Sequence, residues 1–215
     1  MTGVEQLTPI AQDYLKVIWS ATEWGDPPIT TKGLATRLGT TQANVSDTVK
    51  RLAAQGLVTY ESYRPVRLTE RGERLAVAMV RRHRLIEAFL VGVLGYRWDE
   101  VHDEAEALEH AASETLIDRI DALLGHPVAD PHGDPIPAAD GALRRPPAVR
   151  LRETSGLRRI VRVSDADPDV LARCQALGIV PGAEVDAAAA PDEIAAAVWV
   201  TGESADPGVP GADPE

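Results

Sequence analysis

Two short helices joined by a tight turn at a glycine are the feature that most restricts how this chain can fold. Thr31 begins the first helix, and Gly39 ends it because glycine readily adopts the left-handed conformation that closes a helix. Apolar residues at helical spacing predict a second helix over residues 42–55. Strands are predicted at residues 57–62 and 66–68, which together make a β-hairpin. Helix, tight turn, helix and hairpin are typical of a winged helix-turn-helix.

The second of these helices begins with small and polar side chains, which is what a helix that reads base edges in the major groove presents from its first turns. Amide side chains can pair with adenine, small ones can contact the thymine methyl group, and a carboxylate can accept from cytosine. The alternative is a helical hairpin with a purely structural role, which the hairpin that follows at once disfavours. The candidate DNA-binding residues are Thr41, Gln42, Ala43, Asn44, Ser46, Asp47, Lys50 and Arg64. The last two are basic and would contact phosphate.

The charge distribution supports this interpretation, although the chain as a whole carries a net charge of −11. Between Lys32 and Arg84 there are 11 basic and four acidic residues, so this region is strongly positive. A basic region on an acidic protein is what an electrostatic footprint for DNA looks like. A solvated basic face is the alternative that charge alone leaves open.

Imidazole and carboxylate side chains recur at helical spacing in two later stretches. His83 and Glu87 are one turn apart and share a helix face. At 100° per residue, four more such side chains fall within an arc of about 100°, and they are His102, Glu106, Glu109 and His110. Oxygen and imidazole ligands that converge in this way can hold a divalent cation. A surface ion pair or a solvated acidic face is the alternative, but the stripe contains no lysine or arginine.

Several function classes are disfavoured by what the sequence lacks. The single cysteine, Cys174, excludes an internal disulfide and a cysteine-based zinc cluster. No signal peptide and no apolar run long enough for a membrane span is present, so we expect a cytoplasmic protein without a membrane partner. A di-iron enzyme would need two Glu-x-x-His motifs, but Glu106 and His110 are four residues apart and no second copy is present. No nucleophile and base pair is apparent either. We therefore expect a DNA-binding regulator that depends on metal rather than an enzyme.

The element pattern predicts a mainly α-helical chain with small β parts. Long helices are expected over residues 70–94 and 99–124, before a segment with six prolines and two glycines at residues 126–149. After this segment, strands at 149–151, 157–163, from 185 and at 194–200 surround a helix at 167–177. The predicted domains are a DNA-binding domain at 1–74, a helical domain with a linker at 75–146, a β module at 147–201 and a disordered tail at 202–215.

The sequence resembles the diphtheria-toxin-repressor family of metal-dependent regulators, and within it the manganese-responsive branch of manganese transport regulators. The most specific pieces are Gln12–Ile18, Arg81–Glu87, Val101–His110 and Asp130–Pro137. The resemblance runs from about residue 8 to 200. It implies an N-terminal winged helix, a helical dimerisation domain that carries the metals, and a C-terminal SH3-like, FeoA-like module.

The same resemblance implies two metal clusters, and therefore two ions per chain. The first would comprise His83, Glu87 and His102, and the second Asp13, Glu106, Glu109 and His110. Iron-responsive members have methionine and cysteine where this chain has Asp13 and Glu106. Hard carboxylates in place of soft sulfur favour Mn²⁺, with Fe²⁺ as the competitor. The family further implies a homodimer that binds a pseudo-palindromic operator in double-stranded DNA and represses manganese homeostasis genes.

Three positions depart from the family pattern. Lys16 stands where some manganese regulators have a glutamate, three residues after the first aspartate. Arg162 and Asp165 align with two ligands that the third domain of iron-responsive members lends to the first cluster, and only Asp165 has ligand chemistry. The C-terminal run around Ser204–Gly211 replaces a last strand. An Fe²⁺-responsive regulator, a metal-independent winged-helix repressor and, least favoured, a metalloenzyme remain the alternatives.

Overall fold

The protein forms two compact units in the structure, a computed structural model that describes residues 3–61, 64–98 and 100–202. The first unit comprises residues 1–130 and 135–144, and the second comprises residues 131–134 and 145–215. The first is almost entirely helical, and the second contains a four-stranded sheet. The expected mainly α-helical fold class with small β parts is confirmed.

The first unit contains six α-helices and one hairpin among its described residues. The helices are α1 (Pro9–Glu23), α2 (Thr31–Arg37), α3 (Gln42–Ala54), α4 (Glu70–Gly92), α5 (Val101–Glu109) and α6 (Glu114–Leu123). Threonine caps fix four of the helix starts, because the hydroxyl oxygens of Thr8, Thr30, Thr41 and Thr69 accept from backbone N–H groups of the first turn.

The hairpin is shorter than the sequence predicts. Strand β1 (Val58–Thr59) pairs antiparallel with β2 (Arg67–Leu68), with Val58 opposite Leu68. Residues 62 and 63, where part of the turn is predicted, lie outside the described residues. Because α2, α3 and this hairpin follow one another as expected, the winged helix-turn-helix is confirmed.

Helix α4 runs through two hydrophobic cores. Its N-terminal half packs into the core of the helix-turn-helix, where Leu15, Leu34, Val45 and Met79 are fully buried or nearly so. Its C-terminal half packs into a second core, whose buried members include Leu85, Leu90, Val101, Ala105 and Ile117. The helix therefore joins the winged helix-turn-helix to the helices that carry the histidine and carboxylate stripe.

The single helix predicted over residues 99–124 is wrong, because the chain forms α5 and α6 with a break between them; Asp99 lies outside the described residues. The Arg82 side chain donates to the carbonyl oxygen of Glu109 at 3.2 Å. This hydrogen bond occupies a backbone acceptor at the end of α5. Ser113 then accepts from Leu116 N at 3.3 Å and caps α6. The break places His110 at the end of α5.

The second unit is built on an antiparallel sheet with strand order β3-β6-β4-β5. Its elements are β3 (Val149–Arg150), β4 (Leu157–Val163), α7 (Pro168–Ala176), β5 (Glu184–Asp186), α8 (Asp192–Ala197) and β6 (Val198–Val200). The sheet fits the expected SH3-like module. The strand predicted over residues 194–200 is wrong in its first half, because Ala195 N donates to Pro191 O at 2.8 Å and begins a helical turn.

No described helix combines the length and the apolarity that crossing a membrane would require. The predicted disordered tail falls almost entirely on residues 203–215, which lie outside the described residues, as does the run around Ser204–Gly211.

Candidate metal centre

The first group of metal-ligating side chains is formed by His83 and Glu87 on α4 and His102 on α5. His83 Nε2 lies 3.0 Å from Glu87 Oε1 and 3.2 Å from His102 Nδ1, and His102 Nδ1 lies 3.3 Å from Glu87 Oε1. Neighbouring ligands of an octahedral ion bound at about 2.1 Å are about 3 Å apart. The three donor atoms therefore already have the spacing of a metal site.

The second group joins the first helix of the DNA-binding part to the end of α5. Asp13 is on α1, and Glu109 and His110 follow each other at the C-terminal end of α5. His110 Nε2 lies 3.1 Å from Asp13 Oδ1. Glu109 is fully buried, whereas Asp13 and His110 are half-buried.

Gln12 determines which nitrogen of His110 faces Asp13. The Gln12 side-chain NH₂ donates to the carbonyl oxygens of Val4 and Leu7, so its Oε1 is the atom that accepts from His110 Nδ1 at 2.7 Å. In the neutral ring Nδ1 then carries the hydrogen, and Nε2 presents a lone pair.

Asp13 Oδ1 is buried and makes no hydrogen bond to any of the described residues, although it lies next to that lone pair. Two acceptors that face each other across 3.1 Å have no hydrogen between them, and such a pair is stabilised by a cation. The donor set of the second group therefore fits a divalent metal ion.

A third group lies between the other two and shares a member with each. It consists of His83, Glu106 and Glu109. Lys16 Nζ, on α1, donates to Glu106 Oε1 and to Glu109 Oε1 at 2.6 Å each, and lies 3.4 Å from His83 Nδ1. The lysine is buried, as are His83 and Glu109.

The charges in this cluster shift the pKa values of its members. Burial alone would lower the pKa of His83, but the Glu87 charge and hydrogen bonds to Glu109 and Glu87 raise it to about 10. Burial would raise the pKa of Glu109, yet the hydrogen bond and charge of His83, with Lys16, hold it below its usual range. The carboxylates therefore favour the imidazolium form of His83, whose Nδ1 lies 2.6 Å from Glu109 Oε2.

The surroundings of Lys16 and of Asp13 raise the pKa of both groups, for different reasons. Burial opposes the ammonium of Lys16, but the carboxylates of Glu109 and Glu106 raise its pKa above the usual value. The pKa of Asp13 is also raised, chiefly by burial, because the electrostatic interactions with His110 and Lys16 offset this only in part. A cation beside Asp13 would favour its ionised form.

The structure brings together seven of the eight predicted metal ligands. Glu106 is placed between the two predicted clusters, with its Oε1 3.5 Å from His102 Nε2 as well as 2.6 Å from Lys16 Nζ. Asp165 belongs to the second unit, where its Oδ1 is 3.9 Å from Arg162 Nη2. The sequence interpretation did not identify Gln12 as a functional residue, and the only signal for it is a polar side chain one position before Asp13 on a helix that is otherwise buried there.

The predicted DNA-reading side chains lie along one exposed part of α3 and the hairpin. Most of them are exposed and Ser46 is half-buried. Thr41 caps the helix by accepting from Asn44 N, and Asn44 donates its amide to Thr40 Oγ1. Lys50 Nζ lies 3.7 Å from Asp47 Oδ1 on the same helix. Val45, Val49 and Leu52 point the other way and are buried, so the amphipathic pattern leaves the polar edge of α3 in solvent.

Comparison with known proteins supports what this geometry indicates. Residues 6–66 match the family model "Iron dependent repressor, N-terminal DNA binding domain", and residues 69–138 match "Iron dependent repressor, metal binding and dimerisation domain". The iron-dependent repressor IdeR of Mycobacterium tuberculosis is 35% identical over 196 residues, which is 85% of each chain. The chain belongs to the diphtheria toxin repressor family. This family consists of transcriptional repressors and not of enzymes.

Solved structures of family members are similar over nearly their whole length. One is described as a manganese-dependent transcriptional repressor in complex with manganese; it is 46% identical, has a TM-score of 0.81, and the match covers 89% of this chain and 99% of that one. The manganese regulator SloR is 31% identical with a TM-score of 0.74, over 90% and 99% of the two chains. Within the family, the chain is thus similar to manganese-dependent members as well as to iron-dependent ones.

Proposed function

We propose that this chain is a Mn²⁺-dependent transcriptional repressor that controls manganese homeostasis genes. It acts in the cytoplasm as a homodimer on a pseudo-palindromic operator and takes two ions per chain. The DNA-reading residues are those predicted on α3 and in the hairpin, from Thr41 to Arg64. The metal ligands are Asp13, His83, Glu87, His102, Glu106, Glu109 and His110, with Asp165 as a further candidate.

The observation that carries this proposal is the pair of acceptors formed by Asp13 Oδ1 and His110 Nε2, 3.1 Å apart. Asp13 lies in the part of the chain that matches the DNA-binding model, and His110 lies in the part that matches the dimerisation model. A divalent ion bound there supplies the positive charge that both acceptors require. These side chains then hold α1 against the end of α5, which fixes the DNA-binding part relative to the dimerisation helices.

The chemistry of the ligands favours Mn²⁺. All seven of the ligands in the first unit offer carboxylate oxygen or imidazole nitrogen, and the single cysteine of the chain, Cys174, lies in the second unit. Hard oxygen ligands suit Mn²⁺ better than they suit softer ions. Fe²⁺ is the competing candidate because relatives at 35% identity are named iron-dependent repressors.

The energies involved are compatible with a switch. Moving a two-state equilibrium from 1:99 to 99:1 takes about 5.5 kcal/mol. One ion at a hundred times its Kd contributes about 2.7 kcal/mol if it binds only the active form. Four ions in a dimer therefore suffice even when each ion discriminates incompletely between the two forms.

Exposed apolar side chains support the dimer. The exposed fractions are 41% for Leu108 on α5, and 49% and 65% for Leu116 and Leu123 on α6. Val93 and Leu94, which directly follow α4, are also about half exposed. A monomer rarely leaves so many large apolar groups exposed close together in sequence without a partner. A symmetric dimer would present two copies of α3 to half-sites about 34 Å apart, one turn of DNA.

The test is selection of the operator from a pool of random duplex DNA in the presence of Mn²⁺, followed by titration of the recovered duplex by fluorescence anisotropy. We expect a pseudo-palindrome that binds with Mn²⁺, binds less well with Fe²⁺ under anaerobic conditions, and is released by chelator. Binding should also weaken steeply with salt because phosphate contacts release counterions.

Two variants make the test specific. Asp13→Ala and His110→Ala should each lose metal-dependent DNA binding while gel filtration still shows a dimer. Equal operator binding in Mn²⁺ and in chelator would establish the metal-independent repressor instead. Tighter binding with Fe²⁺ than with Mn²⁺, measured on the same duplex, would make the chain an iron regulator.

A further inference from the structure

Lys16 has an unusual position for a lysine, because every side chain that its ammonium approaches is a candidate metal ligand. Its Nζ is 2.6 Å from Glu106 Oε1, 2.6 Å from Glu109 Oε1 and 3.4 Å from His83 Nδ1. These are the three members of the third group, and their donor atoms all lie within 4.8 Å of one another. The ammonium is thus placed where a cation shared by these three ligands would be.

The third group is also the link between the other two. His83 belongs to the first group as well, and Glu109 belongs to the second. An ion bound by the third group would bridge the two proposed sites and draw on a ligand of each. The ammonium and such an ion compete, because Lys16 Nζ already donates to one oxygen of Glu106 and one of Glu109 and the two cations repel each other.

The charge balance agrees with this. Four carboxylates belong to the three groups, those of Asp13, Glu87, Glu106 and Glu109. Two divalent ions already equal their charge, and the ammonium adds one more positive charge. A third divalent ion would have to enter a cluster that is already positive, with both bridging carboxylates engaged by Lys16.

We propose that the Lys16 ammonium is a tethered internal cation, which fills the bridging position between His83, Glu106 and Glu109, limits the chain to two divalent ions and positions the two glutamates. This inference rests on the proposed function, because it assumes that the first and second groups bind metal. Lys16 is a positioning residue. Its role is measured by the number of ions bound, because a salt bridge with a purely structural role would not determine that number.

The experiment counts Mn²⁺ bound to the full chain by equilibrium dialysis and elemental analysis at saturating Mn²⁺. We expect two ions per chain in the wild type and three in Lys16→Glu, where a carboxylate replaces the ammonium and completes the third group. Lys32→Glu makes the same charge change at an exposed position on α2 and should leave the count at two. Circular dichroism and gel filtration establish that each variant is folded.

A second variant keeps the test decisive if Lys16→Glu does not fold. Lys16→Gln removes the positive charge without adding a ligand, so His83, Glu106 and Glu109 should take a third Mn²⁺ more weakly than in Lys16→Glu. A folded variant that stays at two ions, or a wild type that binds three, overturns the inference and leaves the proposed function intact. A wild type that binds no Mn²⁺ overturns the proposed function itself, so the two failures are distinguishable.

Discussion

The side-chain oxygen of Gln12 accepts a hydrogen bond from Nδ1 of His110 at 2.7 Å, and this contact joins α1 to the end of α5. Gln12 is itself anchored by its amide, which donates to the carbonyl oxygens of Val4 and Leu7. One series of hydrogen bonds therefore connects Val4 and Leu7, which precede α1, through Gln12 to the candidate metal ligand His110. Residues next to metal ligands often fix the tautomer in this way.

Replacing Gln12 should weaken metal binding although Gln12 contacts no metal. Gln12→Met keeps the length of the side chain but removes the acceptor, so His110 loses the bond that directs its Nε2 towards Asp13. Loss of such an orienting partner costs about 10- to 100-fold in metal affinity. Titration of Mn²⁺ by isothermal calorimetry measures it. Gln6→Met, at an exposed position on the N-terminal turn, is the control and should bind Mn²⁺ like the wild type.

A buried ion pair fastens the last turn of α1 to α4. Arg84 Nη1 and Nη2 donate to Glu23 Oε1 and Oε2 at 2.9 and 2.6 Å, and Nη1 also donates to Pro135 O at 2.7 Å. Both side chains are almost fully buried. Removing one partner would leave the other charge buried with less compensation.

Arg84→Met should therefore lower the free energy of unfolding by about 3–5 kcal/mol, as measured by urea denaturation of the chelated protein. The double variant Arg84→Met with Glu23→Leu should recover part of that loss, because no buried charge of the pair remains. If the double variant were as unstable as the sum of the two single variants, the two side chains would not be coupled.

The sequence predicted the starts of α3 and α4 closely, because their caps are local. A threonine hydroxyl that accepts from an N–H three residues later needs nothing from the rest of the fold. The break between α5 and α6 has one local signal, the Ser113 cap, but residues 110–112 contain neither glycine nor proline to end α5. It depends on Arg82, which reaches from α4 to the carbonyl of Glu109, and a contact between helices is not visible in spacing.

The same distinction applies to the candidate site. Helical spacing was enough to place His83 beside Glu87 and to align the stripe on α5, because these relations lie within one helix. The roles of Gln12 and Lys16 arise only where α1 meets α5. A lysine three residues after an aspartate in sequence gives no indication that its ammonium will lie between two glutamates about 90 residues away.

Asp121 should make the stability of the protein depend on pH under acidic conditions. Its Oδ2 accepts from Arg81 Nη2 and His126 Nδ1, both at 2.9 Å, and although burial opposes it, these partners hold the pKa of Asp121 below its usual value. A carboxylate with a lowered pKa stabilises the fold above its unfolded-state pKa, and this contribution is lost as the pH falls through the folded-state pKa. We expect the free energy of unfolding to fall below about pH 4.

The check is Asp121→Asn, which should cost about 1–3 kcal/mol at pH 7 because a charged hydrogen-bonding group is replaced by a neutral one. The variant should also lose stability less steeply than the wild type between neutral and acidic pH. Asp118→Asn, at an exposed position on the same helix, is the matched control and should leave the free energy of unfolding nearly unchanged. Identical pH profiles for wild type and Asp121→Asn would contradict the prediction.

Gly72, in the first turn of α4, lies against the backbone of Leu57, the residue before the hairpin. A Cβ at this position would be 1.9 Å from the carbonyl oxygen of Leu57, which is backbone and cannot move aside alone. Alanine normally stabilises a helix by up to about 1 kcal/mol relative to glycine. Gly72→Ala should nevertheless destabilise the protein, because the clash would push α4 away from the hairpin and disturb the bond from Thr69 N to Leu57 O.

Gly92 provides the opposite case on the same helix. Nothing lies within 4 Å of a Cβ built there, so Gly92→Ala should raise the midpoint of thermal unfolding slightly while Gly72→Ala lowers it. Because both variants make the same chemical change in α4, the difference between their midpoints isolates the close approach to Leu57. A Gly72→Ala protein as stable as Gly92→Ala would mean that α4 does not contact the hairpin backbone at this point.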